Sequence, residues 1–388
     1  MYKLTVVITT PPHKTGKQNK DCLYVGCFLV ASKFQEHKRL AAYIGAAIGG
    51  VGGGFLWTAQ GAYFTQVAEI HAQQSQQNIQ ESTTYLAGLF AFIYLLEEVL
   101  LRTLSTLLLQ IGLDWTTIFA VYSTVAVVST GMMILVKNYP NTDSTSISTT
   151  PTITTSSNVW YKVTAAVQLL KNDPKMKYMI GLNAVFGFAG AFLNSYVNGE
   201  VVRVALNDQN SKYVGILTGW LAAVAAMMSL VFSRLTNKGA VLIAGALCFM
   251  GVALPFVVQP DARQMGWGVL VLVYTLQGIG RATFESTLKA TFADYFSYEK
   301  EGAFANIILQ NGLSSAFGYM LTFRLVCVKP SNYCIKYHDG SLHDVFLFEL
   351  LVCGASILAI LGYWRASSLY NVEQRHIAVV EDGNAIQA

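Results

Sequence analysis

Four polar residues stand in register in an otherwise apolar stretch: Gln277, Arg281, Glu285 and Lys289 recur at i, i+4, i+8 and i+12, a spacing that places them on one face of an α-helix. A second group, Glu97, Glu98 and Arg102, interrupts another apolar run. Glu98 and Arg102 are one helical turn apart and able to pair, and Glu97 then points elsewhere. Charges in apolar surroundings are costly, by about 2.5–3.5 kcal/mol on insertion scales, and mark functional sites by default. The Glu98–Arg102 pair reads either as a neutralised structural pair or as a proton or cation site. Arg281 with Glu285 reads as cavity-lining, and Lys289 is expected to snorkel toward the polar boundary. Asn306 and Gln310 lie four apart with Asn311 adjacent, and Asn183 and Asn194 are the polar points of a further run. Such amides either bond a neighbouring helix or contact a solute. Trp57, Gln60 and Gly61 share a face with Tyr63 beside them, as cavity lining or as an interfacial anchor.

Soluble-enzyme chemistry is not written here. The chain has no H-E-x-x-H, G-x-S-x-G or G-x-x-x-x-G-K-[ST] pattern, and its six histidines form no ligand motif. No catalytic residue, metal or cofactor is expected. Net charge of +4 is small and scattered, so no nucleic-acid surface is implied. Cys248 and Cys353 read as apolar filler; a Cys327–Cys334 disulfide requires their loop to face an oxidising side.

The elements that must hold these residues follow from where charge is missing. Of the 388 residues 53% are hydrophobic and 12% are charged, about half the charge of a soluble domain. No Asp, Glu, Lys or Arg occurs in 40–68, 115–136, 178–199, 213–233, 239–260 or 302–323. Each run is long enough to cross a bilayer, which takes about 20 apolar residues. Lipid offers no partner for backbone N–H and C=O groups, so the crossings are helices. Residues 84–110, 264–288 and 345–365 add spans that carry a few charges, including Glu349. The fold class is all-α: a polytopic membrane helix bundle of about nine spans, with the lipid bilayer as its solvent.

Three spans (41–66, 84–110, 115–136) precede a polar stretch and six (177–199, 213–233, 239–259, 264–288, 302–326, 345–365) follow it. Five regions result: an N-terminal remnant (1–40), an N-terminal bundle (41–136), a Ser/Thr-rich linker (137–176), a C-terminal bundle (177–366) and a tail (367–388). Residues 141–158 read NTDSTSISTTPTITTSSN, a tether or a phosphorylated regulatory segment with no means of packing a core. After it, Trp160, Val163, Val167 and Leu170 recur near helical spacing, which predicts a short amphipathic helix at the membrane surface. Lysines cluster around the linker and in the RLTNK turn (234–238), so linker and tail are assigned to the cytoplasm; Lys33, Lys38 and Arg39 argue the other way. Residues 22–32 are apolar for about 11 residues, too short to span, and read as the end of a span whose beginning is absent.

Gly45, Gly49 and Gly53 lie four apart, as do Gly50 and Gly54, a spacing that predicts close helix packing. The stretch GFLWTAQGAYFT (54–65) resembles the signature of the Unc-93-like family, a branch of the major facilitator superfamily. LLKNDPKMKYMIGLNAVFGFAGAF (169–192) and GIGRATFESTLKATFADYFSYEKEGAFANIILQNGLSSAFGY (278–319) resemble further family segments. The resemblance covers about residues 40–366. It implies a bundle of major facilitator type, with the spans at 41, 84 and 115 equivalent to the fourth, fifth and sixth. It also implies transport of a small solute or ion, or alternatively a non-transporting regulatory subunit or trafficking chaperone of an ion channel or receptor, with links to potassium homeostasis. SRLTNKGA (233–240) is either a degenerate superfamily loop motif or an ordinary basic turn. Two departures stand out. Set against the family pattern, the first two spans and most of the third, with the superfamily's main gating loop, are expected to be absent from this sequence, and Arg281 follows GIG where an acidic or small polar residue is expected.

Overall fold

A computed structural model describes residues 26–27, 30, 38–132, 159–208, 212–259, 264–326 and 345–387. Most of 22–32, the Ser/Thr tract and both Cys327 and Cys334 lie outside the described residues. Every regular element among those described is helical. The first three rods are α1 (Lys38–Ser75), α2 (Ile79–Gln110) and α3 (Trp115–Met132). The linker helix α4 (Val159–Asn172) follows, and then α5 (Pro174–Ala191), which continues through a π-helical segment (Phe192–Val201) into α6 (Val202–Ala205). Next come α7 (Lys212–Phe232), α8 (Lys238–Val258) and α9 (Trp267–Thr283). A second π segment (Phe284–Leu288) joins α9 to α10 (Lys289–Tyr295), and α11 (Lys300–Val326) and α12 (Phe346–Gln387) complete the bundle.

Local chemistry sets several boundaries. Asp173 accepts a hydrogen bond from the Lys175 amide at 2.7 Å, and Pro174 opens α5 where its missing N–H costs nothing. Asn237 caps α8 through the Ala240 amide at 3.0 Å. The turn from α2 to α3 needs a positive φ of +90° at Gly112, which glycine adopts without strain.

All nine expected spans fall on helices over their described residues, but among the described residues only six helices are both long and apolar enough to cross a membrane: Arg39–Ser75, Ile79–Ser105, Pro174–Ala205, Tyr213–Phe232, Lys238–Val258 and Phe346–His376. Among the other three, 116–132 is shorter. Residues 267–295 carry Arg281, Glu285, Lys289 and Asp294, and 300–326 carry Lys300, Glu301, Arg324 and several amides. These polar groups lower the apolarity that the count of nine relied on. The tail from 367 continues α12 as helix to Gln387.

The C-terminal rods form the core. α12 packs along α5 and α8, α9 packs against α7 and α8, and α11 packs against α5. Lipid gives little hydrophobic drive between helices, so close backbone approach and fitted side chains hold them. A Cβ at Gly362 would stand 2.2 Å from the Tyr178 carbonyl oxygen, and one at Gly181 would stand 2.8 Å from the Ala359 Cα. Phe192 meets Phe256 and Phe348 edge to face, each at 5.4 Å between centroids. From the N-terminal side, α1 packs on α11 and α2 on α7, while α3 touches α2 lightly.

The linker helix lies against the bundle. It buries Ala165 and Leu169 against the bundle while Val167 is exposed, and it packs on α11. The Trp160 and Val163 side chains lie outside the described residues.

Candidate functional site: a charge clamp between α2 and α9

Glu98 of α2 sits between two guanidiniums. Arg102, one turn along the same helix, donates to its Oε1 through Nη2 at 2.6 Å and Nε at 2.9 Å. Arg281 of α9 donates from Nη1 to Oε1 at 3.1 Å and from Nη2 to Oε2 at 2.5 Å. Side-chain exposure is 13% for Glu98 and 7% for Arg281, so both charges are largely removed from solvent. The Arg281 guanidinium also lies 6.0 Å from the Tyr94 ring centroid. Tyr94 precedes Glu98 by one turn, a face the spacing of α2 made available.

A second pair lies two turns further along. Lys289 Nζ donates to Glu285 Oε2 at 2.7 Å, and both side chains are buried. The ammonium stands 4.4 Å from the Trp57 ring centroid and 5.5 Å from that of Phe90. Lys289 therefore does not snorkel. Two aromatic rings from α1 and α2 enclose it, and cation–π attraction replaces part of its hydration. Trp57 is buried too and meets Tyr94 edge-on at 5.3 Å, which puts it inside the bundle. Gln60 and Gln277 are buried, each with an Oε1 that finds no hydrogen-bond partner. Glu97 is half-buried on another face of α2, and Tyr63 is half-buried on α1.

The remaining amides do not join this cluster. Asn183 donates to Gln310 Oε1 at 2.7 Å, Gln310 to Asn306 Oδ1 at 3.1 Å, and Asn306 to the Ala166 carbonyl at 2.8 Å. This relay runs from α5 through α11 to the linker helix. Asn194 accepts from Asn198 at 3.2 Å within the first π segment, and Asn198 accepts from the Tyr274 hydroxyl of α9. The spacing of polar residues revealed neither Tyr274 nor Asn198 as members. Both π segments hold polar residues of these groups, as π-bulges at functional positions often do.

The glycine stripe of α1 is divided. Gly45 and Gly53 are buried and Gly49 is half-buried, but a Cβ at Gly50 or Gly54 would meet nothing within 4 Å. Those two do not mediate close packing within the described chain. At one end of the bundle Lys238 pairs with Asp294 at 2.5 Å and donates to Thr83 at 3.2 Å. SRLTNKGA thus contributes a helix cap and an ion-paired lysine. A cavity of about 740 Å³ opens beside it, with His71, Arg234, Asn237 and Tyr370 among its lining.

Helical rods this apolar, pinned by buried ion pairs, define an integral multi-pass membrane protein. A family model described as ion channel regulatory protein UNC-93 matches residues 12–260, and the chain belongs to that family. Protein unc-93 homolog A of Bos taurus is 30% identical over 176 residues, 44% of this chain and 37% of the relative. The Mus musculus protein of the same name is 24% identical over 217 residues, 55% of this chain and 44% of the relative. The aligned chain thus spans less than half the length of these curated relatives. The segment 278–319, with Arg281 and Lys289, lies beyond the family match.

Proposed function

We propose that this chain is a membrane-embedded regulatory subunit of an ion channel and that its central charges hold the bundle together. The observation that carries this reading is the Glu98 carboxylate, which takes hydrogen bonds from guanidiniums on two different helices. An acid so neutralised offers no open site to a cation, and separating it from Arg281 would strand buried charges. The description of the family as ion channel regulatory supports the same assignment. A potassium-selective channel is the partner that the family resemblance suggests. The bundle is read as major facilitator type, with 41–136 and 177–366 as its two parts and the lysine-flanked linker in the cytoplasm.

The test is co-expression of the tagged chain with a potassium channel in cells that lack both. The expected result is co-purification in detergent together with a change in current amplitude or voltage dependence. Neither effect across a panel of potassium channels would refute the proposal.

A second reading, transport of a small solute or ion, is favoured by the unpartnered buried amide oxygens of Gln60 and Gln277, which would receive donors from a bound solute. Substrate-dependent flux lost in Q60L or Q277L would establish it.

A further inference from the structure

Glu349 differs from the acids of the charge clamp. It lies in the first turn of α12, is 1% exposed, and its Oε2 has no hydrogen-bond partner. No described base pairs with it, whereas Glu98 and Glu285 are each held by a cation. It shares the buried face of α12 with Phe348, Val352 and Ser356, and Val345 just before the helix is buried too. That face packs on α5 and α8, and less extensively on α11.

Among the described side chains the packing partners supply no compensating charge. Residues 178–199 of α5 and its π segment contain no Asp, Glu, Lys, Arg or His, and neither do residues 239–258 of α8, whose titratable group is Cys248, or 302–323 of α11, where Arg324 follows with a side chain outside the described residues. The next charges on the α5 rod, Glu200 and Arg203, pair with each other at 2.5 Å. On α12 itself the nearest titratable group is Cys353, one turn on and half-buried. Antiparallel packing, fixed by Gly362 against Tyr178 and Phe348 against Phe192, sets Glu349 level with the start of the first π segment. The positive end of the α12 macrodipole offsets only part of an isolated buried carboxylate's cost. An acid in such a place is retained as a neutral carboxyl or filled by a cation.

We propose that Glu349 is a proton-binding site, with the proton on the carboxyl when α12 is seated on Phe192. Release of that proton requires the first turn of α12 to reach water, so proton occupancy and the seating of α12 are linked. The site is independent of the charge clamp and of the channel-subunit reading.

Dicyclohexylcarbodiimide reads the proton directly. A protonated carboxyl adds across its C=N bond, with the new O–C bond formed at the carboxyl and the acid proton passed to nitrogen. The full chain in detergent is treated at neutral pH, digested and mapped by mass spectrometry. The expected result is an adduct at Glu349 that is absent in E349Q, and no adduct at Glu98 or Glu285. E349Q is expected to keep the wild-type elution volume and thermal midpoint, because a neutral amide replaces a neutral acid. Absence of the Glu349 adduct would overturn the proposal. Suppression of the adduct by excess potassium or sodium at constant pH would also overturn it, by assigning a metal cation in place of the proton. A large loss of thermal midpoint in E349Q would do the same, by showing that the residue is charged and paired.

Discussion

Glu98 on α2 and Arg281 on α9 are 183 residues apart in sequence, yet the guanidinium addresses both carboxylate oxygens, at 3.1 and 2.5 Å. Arg102 completes the arrangement from the same side as Glu98. Two parts of the chain separated by the linker are thereby fastened through a single acid. Removing one member of a buried pair costs about 3–5 kcal/mol, because the other is left uncompensated.

Glu98→Gln is expected to destabilise by about that amount, seen as a large drop of thermal midpoint in detergent. The exchange Glu98→Arg with Arg281→Glu is expected to recover part of the loss. A double-mutant cycle in which the two changes simply add would show that the pair does not couple.

Lys289→Met leaves Glu285 buried without its base and is expected to cost about 3 kcal/mol or more. Lys300 and Glu69 also pair, at 2.5 Å, but are 24% and 30% exposed. Lys300→Met is accordingly expected to cost about 1 kcal/mol or less. Thermal midpoints of both variants in one detergent check the ranking.

The helices were legible because missing charge is a property of the sequence alone, though among the described residues only six of the nine expected spans are long and apolar enough to cross a membrane. The Glu98–Arg102 pair was legible for a similar reason, since helical periodicity makes residues four apart neighbours. The partner of Arg281 was not legible: it comes from a different helix, and no local spacing encodes which helices meet. Lys289 was misplaced for the same reason, as the Trp57 and Phe90 rings that cover it arrive from α1 and α2. The glycines of α1 reveal small-residue spacing, but only packing tells Gly53, which is buried, from Gly50 and Gly54, which face open space. Tyr274 and Asn198 escaped notice because a tyrosine in an apolar run carries no charge to mark it.

Packing at Gly362 gives a sharp contrast with Gly50. A methyl at Gly362 would stand 2.2 Å from the Tyr178 carbonyl oxygen, so Gly362→Ala is expected to push α12 off α5 at about 1–3 kcal/mol. Gly50→Ala meets nothing within 4 Å and is expected to leave the thermal midpoint unchanged.

The amide relay ties the linker helix to the core through Asn306 and the Ala166 carbonyl at 2.8 Å. Asn306→Ala is expected to cost about 1 kcal/mol, the scale of interhelical hydrogen bonds in membranes. Hydrogen exchange over Val159–Asn172 is expected to rise while α8 keeps its protection. Unchanged exchange in the linker helix would mean that α4 is held by Ala165 and Leu169 alone.

Reconstituted flux tests the structural role of the clamp most directly. The purified chain in proteoliposomes is predicted to move potassium, sodium and protons no faster than empty vesicles, and Glu98→Gln is predicted to change stability without changing that result. Flux above background that disappears in Glu98→Gln while the protein stays folded would contradict the account. It would make Glu98 a transport residue.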